Sequence, residues 1–164
     1  MGLQSQVNQF YAPAVKGDRA SQNPVVYLPF NPRAENTVYV GQFVFAGSDN
    51  TQVKSSTSGS DAPVGFIERL LNYYNFTLTS GSTMTLPDNT SLTVAKIGEF
   101  YVTYDNSSVP TVGQKAFASK TNGSVHFAAA GATVSGFVET TFVCKGVDST
   151  SGLAVISNWN PASA

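Results

Sequence analysis

The chain has 164 residues, of which 41% are hydrophobic and only 12% are charged, and its formal net charge is −1. Nine basic residues against ten acidic ones leave no basic surface for nucleic acid or an anionic membrane. The hydrophobic fraction excludes a disordered protein, and the single cysteine, Cys144, excludes a disulfide scaffold. This length fits about one domain, and the low charge suits a protein that packs against other proteins.

The N-terminal part of the chain is rich in proline. Residues 1 to 36 contain four prolines: Pro13, Pro24, Pro29 and Pro32. Because each proline fixes φ and removes a backbone donor, this region predicts an extended arm. Val25 to Leu28 predicts a short edge strand within it. The first six residues lack a basic region followed by an apolar run, so we expect no signal peptide and assembly in the cytoplasm.

From Thr37 onward, residues 37 to 164 predict a single all-β domain, a compact barrel or sandwich of short strands. The strands are expected where aromatic and β-branched residues cluster: 38–46, 64–69, 73–79, 83–86, 92–94, 100–104, 115–119, 125–128, 136–144 and 153–156. The turn residues of 87–90 predict a hairpin between the strands on either side of them. The Ser- and Gly-rich stretch from Gly47 to Ala62 predicts a mobile surface loop.

The sequence contains an internal two-fold duplication. The heptapeptide that begins at Val40 returns at Val112, and a second patch, Gly-Phe-Ile-Glu at 65–68, returns as Gly-Phe-Val-Glu at 136–139. A repeat of this period suggests one supersecondary unit used twice. The repeat therefore predicts equivalent strand pairs related by a pseudo-two-fold axis.

The duplication also makes predictions for single residues. Phe45 and Phe117 should occupy matching buried positions, as should Phe66 and Phe137. Gly41 and Gly113 should each lie where a strand begins or bulges, because glycine in a strand usually marks a bend.

No catalytic constellation emerges from the residue types. The recurring Glu68 and Glu139 could form a carboxylate pair, but a strand-end charge or a neighbour of an arginine is the favoured interpretation. His126 is the sole histidine and cannot form a zinc site alone. Cys144 lies in an apolar run and is expected to be a buried hydrophobe rather than a partner of His126 in a dyad. We expect no enzyme activity, no cofactor and no metal.

Several short motifs, by their order and spacing along the chain, resemble those of the structural cement or head decoration proteins of tailed bacteriophages. The resemblance covers most of the chain, and its residues are the stretch from Val15 to Pro24 and the segments 40–43, 62–66, 97–102, 112–118 and 136–138. The chain departs from the family pattern at 25–29, where Val-Val-Tyr-Leu-Pro replaces a run of small residues.

This resemblance implies a non-enzymatic protein on the outer surface of the virion. Family members bind the major capsid protein, commonly as homotrimers, and cement neighbouring capsid subunits against internal pressure, without contact with nucleic acid or membrane. The arm is expected to add a strand to the capsid protein, and its candidate capsid-binding residues are Gln4, Gln6, Val7, Gln9, Phe10 and Tyr11.

Two other classes of function remain open. One is a carbohydrate-binding or adhesin-like β-module of a larger assembly, which would present Tyr73, Tyr74 and Tyr101 on its surface. The other is a hydrolase built around His126 and nearby carboxylates. The missing export signal counts against the first, and no motif supports the second.

Overall fold

A computed structural model describes residues 14–70 and 84–159 of the chain, and these residues form strands without any helix. The thirteen strands are β1 (Val26–Tyr27), β2 (Arg33–Ala34), β3 (Val38–Tyr39), β4 (Phe43–Ala46), β5 (Gln52–Lys54), β6 (Gly65–Ile67), β7 (Thr85–Leu86), β8 (Val94–Ile97), β9 (Glu99–Thr103), β10 (Lys115–Ser119), β11 (Val125–Ala128), β12 (Phe137–Asp148) and β13 (Leu153–Ser157). In these ranges no helix could span a membrane.

The strands form two main sheets and a small ribbon. One sheet has six strands in the order β1-β8-β6-β4-β5-β2, and the other has five in the order β11-β10-β12-β13-β9. The ribbon pairs β3 with β7. Pairing is antiparallel except between β2 and β5. The expected all-β sandwich of short strands is confirmed.

The main core lies between the two sheets and is built largely from phenylalanine. Phe66 is fully buried, and its ring lies 4.8 Å from that of Phe100 and 5.4 Å from that of Phe43. The five-stranded sheet completes the core with Phe142 and a set of smaller buried residues. Burial of a phenylalanine side chain contributes about 1.5–3 kcal/mol, so this cluster dominates the stability of the sandwich.

A second core covers the other face of the six-stranded sheet. Val44, Ile67 and Val94 point to this face, where Val38 of β3 and Leu86 of β7 pack on them. Because both faces are buried, β4 and β6 read as continuous apolar runs rather than as alternating ones. The ribbon is therefore a third layer.

Two edges of the five-stranded sheet are covered by the chain itself. Residues 17–20 pair with β9 at one edge. At the other edge, Tyr104 bridges to Val125, and the Asn106 side chain bonds both the N–H and the C=O of Phe127. The chain that leaves β9 thus reaches β11 and nearly closes the sheet on itself, which removes edges that would otherwise invite aggregation.

Two local predictions are wrong. The polar stretch 47–62 contains strand β5, because Val53 is buried in the second core and Arg33 and Phe45 flank the strand on its two sides. The segments around 87–90 do not form a hairpin, since β7 pairs with β3 and β8 pairs with β6 and β1. By contrast, the strand expected at 25–28 is present as β1 at the edge of its sheet.

The described part of the predicted arm, from Ala14 to Asn36, is bonded to the body. Gly17 donates to Tyr101 O, Leu28 donates to Val94 O, and Ala34 is buried. Residues 14–36 thus contribute two strands to the six-stranded sheet. The division of the chain at residue 36 stays a prediction.

The two repeats form hairpins with the same register. In the first, Phe45 lies opposite Lys54 and Ala46 opposite Val53; adding 72 to each number gives the second, with Phe117 opposite His126 and Ala118 opposite Val125. The turns are closed alike, by Gly47 N–H to Gln52 O at 2.9 Å and by Ser119 N–H to Ser124 O at 2.8 Å. Gly41 and Gly113 both have positive φ and both precede the first strand of their hairpin.

The third strand of each repeat does not match. Phe66 lies opposite Phe43, but the residue opposite Lys115, the counterpart of Phe43, is Val143 and not Phe137. Phe137 pairs with Ser119 and is only half-buried, so the prediction that it matches the fully buried Phe66 is wrong. The cause is that β12 pairs with β10 in a different register from that of β6 with β4, which places the repeated patch at the far end of β10.

The two hairpins also turn opposite faces to the main core. Phe45 lies in that core, whereas in β10 it is Ala116 and Ala118 that lie there. Because side chains alternate along a strand, Phe117 points to the other face, although it is as buried as Phe45. A two-fold axis that exchanged the sheets would turn both phenylalanines inward, so the predicted pseudo-two-fold relation is wrong.

Candidate functional site: the root of the N-terminal arm

The six candidate capsid-binding residues, Gln4, Gln6, Val7, Gln9, Phe10 and Tyr11, lie outside the described residues. The structure describes the place from which they extend, residues 14–20, which we call the arm root. This segment contains a tight turn in which Asp18 N–H donates to Val15 O, and the Asp18 carboxylate accepts from Val15 N–H at 2.9 Å. The arm root therefore begins with a hydrogen-bonded turn.

The arm root is bonded to both sheets at once. Gly17 N–H donates to Tyr101 O of the five-stranded sheet at 2.7 Å, and Gly17 O accepts from Arg69 N–H, just beyond β6, at 2.8 Å. The Arg69 guanidinium also lies 3.0 Å from the Asp18 carboxylate. Gly41 permits this approach, because a Cβ there would lie 3.1 Å from Gly17 N.

A buried carboxylate binds Arg19 of the arm root. Glu68 is 2% exposed, and its two oxygens accept from Arg19 Nε and from the Tyr27 hydroxyl, each at 2.5 Å. Arg19 Nη2 closes the triangle with a 2.6 Å bond to the same hydroxyl. A buried carboxylate without partners would be strongly destabilising, so this triangle holds Arg19 and Tyr27 in place.

The electrostatics of the triangle follow from these contacts. Burial, followed by the hydrogen bond to Glu68, raises the pKa of Tyr27 and keeps its hydroxyl protonated as a donor. The hydrogen bond to Glu68 raises the pKa of Arg19, so the guanidinium stays charged. The interpretation of Glu68 as the neighbour of an arginine is confirmed.

A second carboxylate fixes the chain that follows the arm root. Glu99 of β9 accepts hydrogen bonds from Asn23 Nδ2 and Ser157 Oγ, both at 2.9 Å. The hydrogen bond from the Ser21 hydroxyl, followed by those from Ser157 and Asn23, outweighs desolvation and lowers the pKa of Glu99. Two carboxylates, one from each sheet, thus clamp the segment that carries the family resemblance.

Two of the three stretches of chain outside the described residues, 1–13 and 71–83, adjoin the arm root. Arg69, bonded to Gly17, lies just before the segment 71–83, and Met84, just after it, accepts from Val40 N–H at 2.9 Å. Val40 precedes Gly41, which packs on Lys16 and Gly17. The described ends of both stretches therefore meet at one end of the sandwich.

The residues considered for catalysis are not brought together. Cys144 is buried in the main core, where burial raises the pKa of its thiol, and its hydrogen bond goes to Gly146 O. The ring of His126 packs 5.0 Å from that of Phe137 instead. Glu139 lies at the surface, where it accepts from Gly131 N–H, so it does not pair with Glu68. Among the described residues no group of His, Cys, Asp and Glu could hold a metal.

The described residues provide no site for the carbohydrate-binding hypothesis. Tyr101 is a half-buried residue of β9 beside the arm root, and Tyr73 and Tyr74 lie outside the described residues. Sequence reasoning missed Arg19, Tyr27 and Arg69 as parts of the site. The available signal was the polar run from Lys16 to Ser21.

Comparison with known proteins agrees with the fold. A chain from a solved structure described as the capsid of Myoviridae phage XM1 is similar, with a TM-score of 0.64 and 17% identity over 96% of this chain and 98% of that one. No curated protein sequence matches. The family model of the XM1 gp53 minor capsid protein matches residues 3–158, which is nearly the whole chain, and the chain belongs to this family of minor capsid proteins.

Proposed function

We propose that this protein decorates the exterior of an icosahedral phage head and cements neighbouring major capsid subunits. The N-terminal arm adds a strand to an open edge of the major capsid protein. In this proposal the residues that make the contact are Gln4, Gln6, Val7, Gln9, Phe10 and Tyr11. The observation that carries the proposal is the arm root, which fixes the start of the arm to both sheets of the body.

A cement protein needs a firm connection between the arm that binds the capsid and the body that spans neighbouring subunits. The triangle of Glu68, Arg19 and Tyr27 and the paired backbone of Gly17 give the arm such a connection. The covered edges of β9 and β11 favour an ordered arm as the means of attachment over pairing through those edges.

We extend the proposal to a homotrimer on the outer capsid surface, as the resemblance to head decoration proteins implies. Low surface charge supports contacts made by packing and backbone pairing. Such contacts are weak singly and strong when many copies bind one particle. The role is structural, and no described side-chain cluster offers a reaction.

The proposal is tested by co-sedimentation of the full chain with expanded heads. Phe10→Asp should weaken binding about thirtyfold, which corresponds to the loss of one interface hot spot of about 2 kcal/mol. Phe30→Asp is the matched control, because Phe30 is an exposed phenylalanine of the body, and it should bind normally. Equal binding by wild type and Phe10→Asp would contradict the arm as the attachment segment.

A further inference from the structure

The first half of β12 has one open edge. On one side its residues pair with β10, and Lys120 N–H donates to Gly136 O there. Because backbone groups alternate in an antiparallel pair, the N–H and C=O of Glu139 point away from β10. On that side β13 begins to pair only at Val143, and no described strand pairs with Glu139.

An apolar groove runs beside this open edge. The groove has a volume of about 320 Å³ and lies between β12 and the segment that leads into β6. Its apolar lining comes from both sheets: Phe43, Pro63, Val64 and Phe142. Open backbone groups next to apolar pockets are the two features by which proteins bind an extended strand.

The last described residues, Asn158 and Trp159, turn away from this edge. Antiparallel continuation of β13 would carry the chain along Thr141 and Glu139, but Asn158 turns to Gly98 and Lys96, and the Trp159 indole donates to Pro24 O. The residues that follow, Asn-Pro-Ala-Ser-Ala, include a proline and no large apolar side chain. A segment of this composition has a low propensity to form a strand.

We propose that the open edge of β12 binds the N-terminal segment of the same chain, residues 1–13, before the protein attaches to its partner. Thirteen extended residues span about 43 Å. Arg69, which is bonded to Gly17 of the arm root, is only four residues, about 13 Å, from Gly65 in the groove. The segment is therefore long enough to reach the edge, and its tether gives it a high effective concentration there.

The chemistry of the segment fits the groove. Residues 1–13 contain no charged side chain, so none has to be desolvated on docking. In an extended conformation Leu3, Val7 and Tyr11 share one face with Ser5 and Gln9, and Phe10 is the only large apolar residue of the other face. The first face enters the groove, and the second stays in water.

This inference goes beyond the proposed function, because it concerns the unattached protein. A segment held on its own body hides both an aggregation-prone edge and the residues that bind the capsid. Attachment then exchanges one strand partner for another. The test uses the free protein, so its result is independent of whether the arm binds heads.

The experiment is residue-resolved amide hydrogen exchange on the full chain. We expect the Glu139 amide to exchange at least about tenfold more slowly than an exposed amide, and Val7→Asp to abolish this protection. Asn8→Asp is the matched control, because Asn8 faces water in the docked strand and its charge should leave the protection intact. The Val138 amide, on the side of β12 that pairs with β10, should be unaffected by both.

The outcomes decide between the docked and undocked arm. Fast exchange of the Glu139 amide in the wild type, or protection that survives Val7→Asp, overturns the proposal. The protection should also be unchanged over a hundredfold dilution. Loss of protection on dilution would place the segment in the groove of a second copy and would overturn docking within one chain.

Discussion

The two repeated hairpins, β4–β5 and β10–β11, pair in the same register but present opposite faces to the main core. The inward side chains of the first include Phe43 and Phe45, whereas those of the second include Ala116 and Ala118. Large residues on one sheet against small ones on the other fill the space at normal packing density. Local sequence thus determined how the strands pair, and the complementary volume across the core determined which face is buried.

The largest expected effect tests whether burial alone sets the energy of the two matching phenylalanines. Phe45→Ala should lower the free energy of unfolding by about 3–5 kcal/mol, because the closed core leaves a cavity. Phe117→Ala should cost about 2–3 kcal/mol, because Phe117 lines an open groove of about 480 Å³ that water can refill. Urea denaturation of both variants measures the difference. Equal losses would mean that the face presented to the core is energetically irrelevant.

The turns of the two hairpins offer the next comparison. Gly123, in the second turn, has φ +75°, and a Cβ there would lie 2.0 Å from Phe43 O. Gly123→Ala should therefore cost about 2–4 kcal/mol through overpacking and backbone strain. The equivalent residue of the first turn is the exposed Thr51, and Thr51→Ala should change stability by less than about 0.5 kcal/mol. A tolerated alanine at 123 would show that the second turn does not dock on β4 through this contact.

The repeated glutamates should differ for the same reason as the phenylalanines. Glu68→Ala removes the centre of the triangle with Arg19 and Tyr27 and should cost about 2–3 kcal/mol, since the Arg19 guanidinium and the Tyr27 hydroxyl each lose a hydrogen bond to a carboxylate. Glu139→Ala removes one surface bond to Gly131 and should cost about 0.5 kcal/mol or less. Thermal unfolding of the two variants compares the two losses of stability. A larger loss for Glu139→Ala would refute the role of Glu68 in holding Arg19 of the arm root.

The smallest effect concerns pH. Glu35 anchors the first turn, where Ser48 donates from N–H at 2.6 Å and from Oγ at 2.8 Å, and these bonds, the backbone one first, lower the pKa of its carboxyl below 4.5. Since the fold favours the deprotonated form, this anchoring is complete above the ordinary pKa and is lost as pH falls through the lowered one. The Ser48 amide resonance should titrate there. Gly123 N–H, bonded to Ser119 O, should not.

The sequence predicted the parts of this fold that depend on local pattern. Strands at 115–119 and 125–128 appear with those bounds, and the burial of both Phe45 and Phe117 follows from the repeat. Failure came where distant partners decide. Val53 is a lone apolar residue in a polar stretch, and only its place in the second core makes a strand there. The mismatch of Phe66 and Phe137 arose because β12 pairs with β10 in a different register from that of β6 with β4, which no residue of the patch announces.

The site was predictable only in part. The resemblance directed attention to the segment from Val15 to Pro24, but the sequence did not indicate that Arg19 would meet a carboxylate 49 positions away. Glu68 in turn was recognised as the neighbour of an arginine without a way to name which one. Contacts between distant segments depend on how the two sheets approach, and that approach is set by the whole core.

The attachment of Gly17 to both sheets has a mechanical consequence. A pull on the chain at Ala14 loads the Val15–Asp18 turn first and then the hydrogen bonds to Tyr101 and Arg69 together. Since these bonds lie on two different sheets, tension is divided between them, and neither sheet is peeled strand by strand from a free end. Under force, the tether should therefore yield outside the sandwich before the sandwich itself opens.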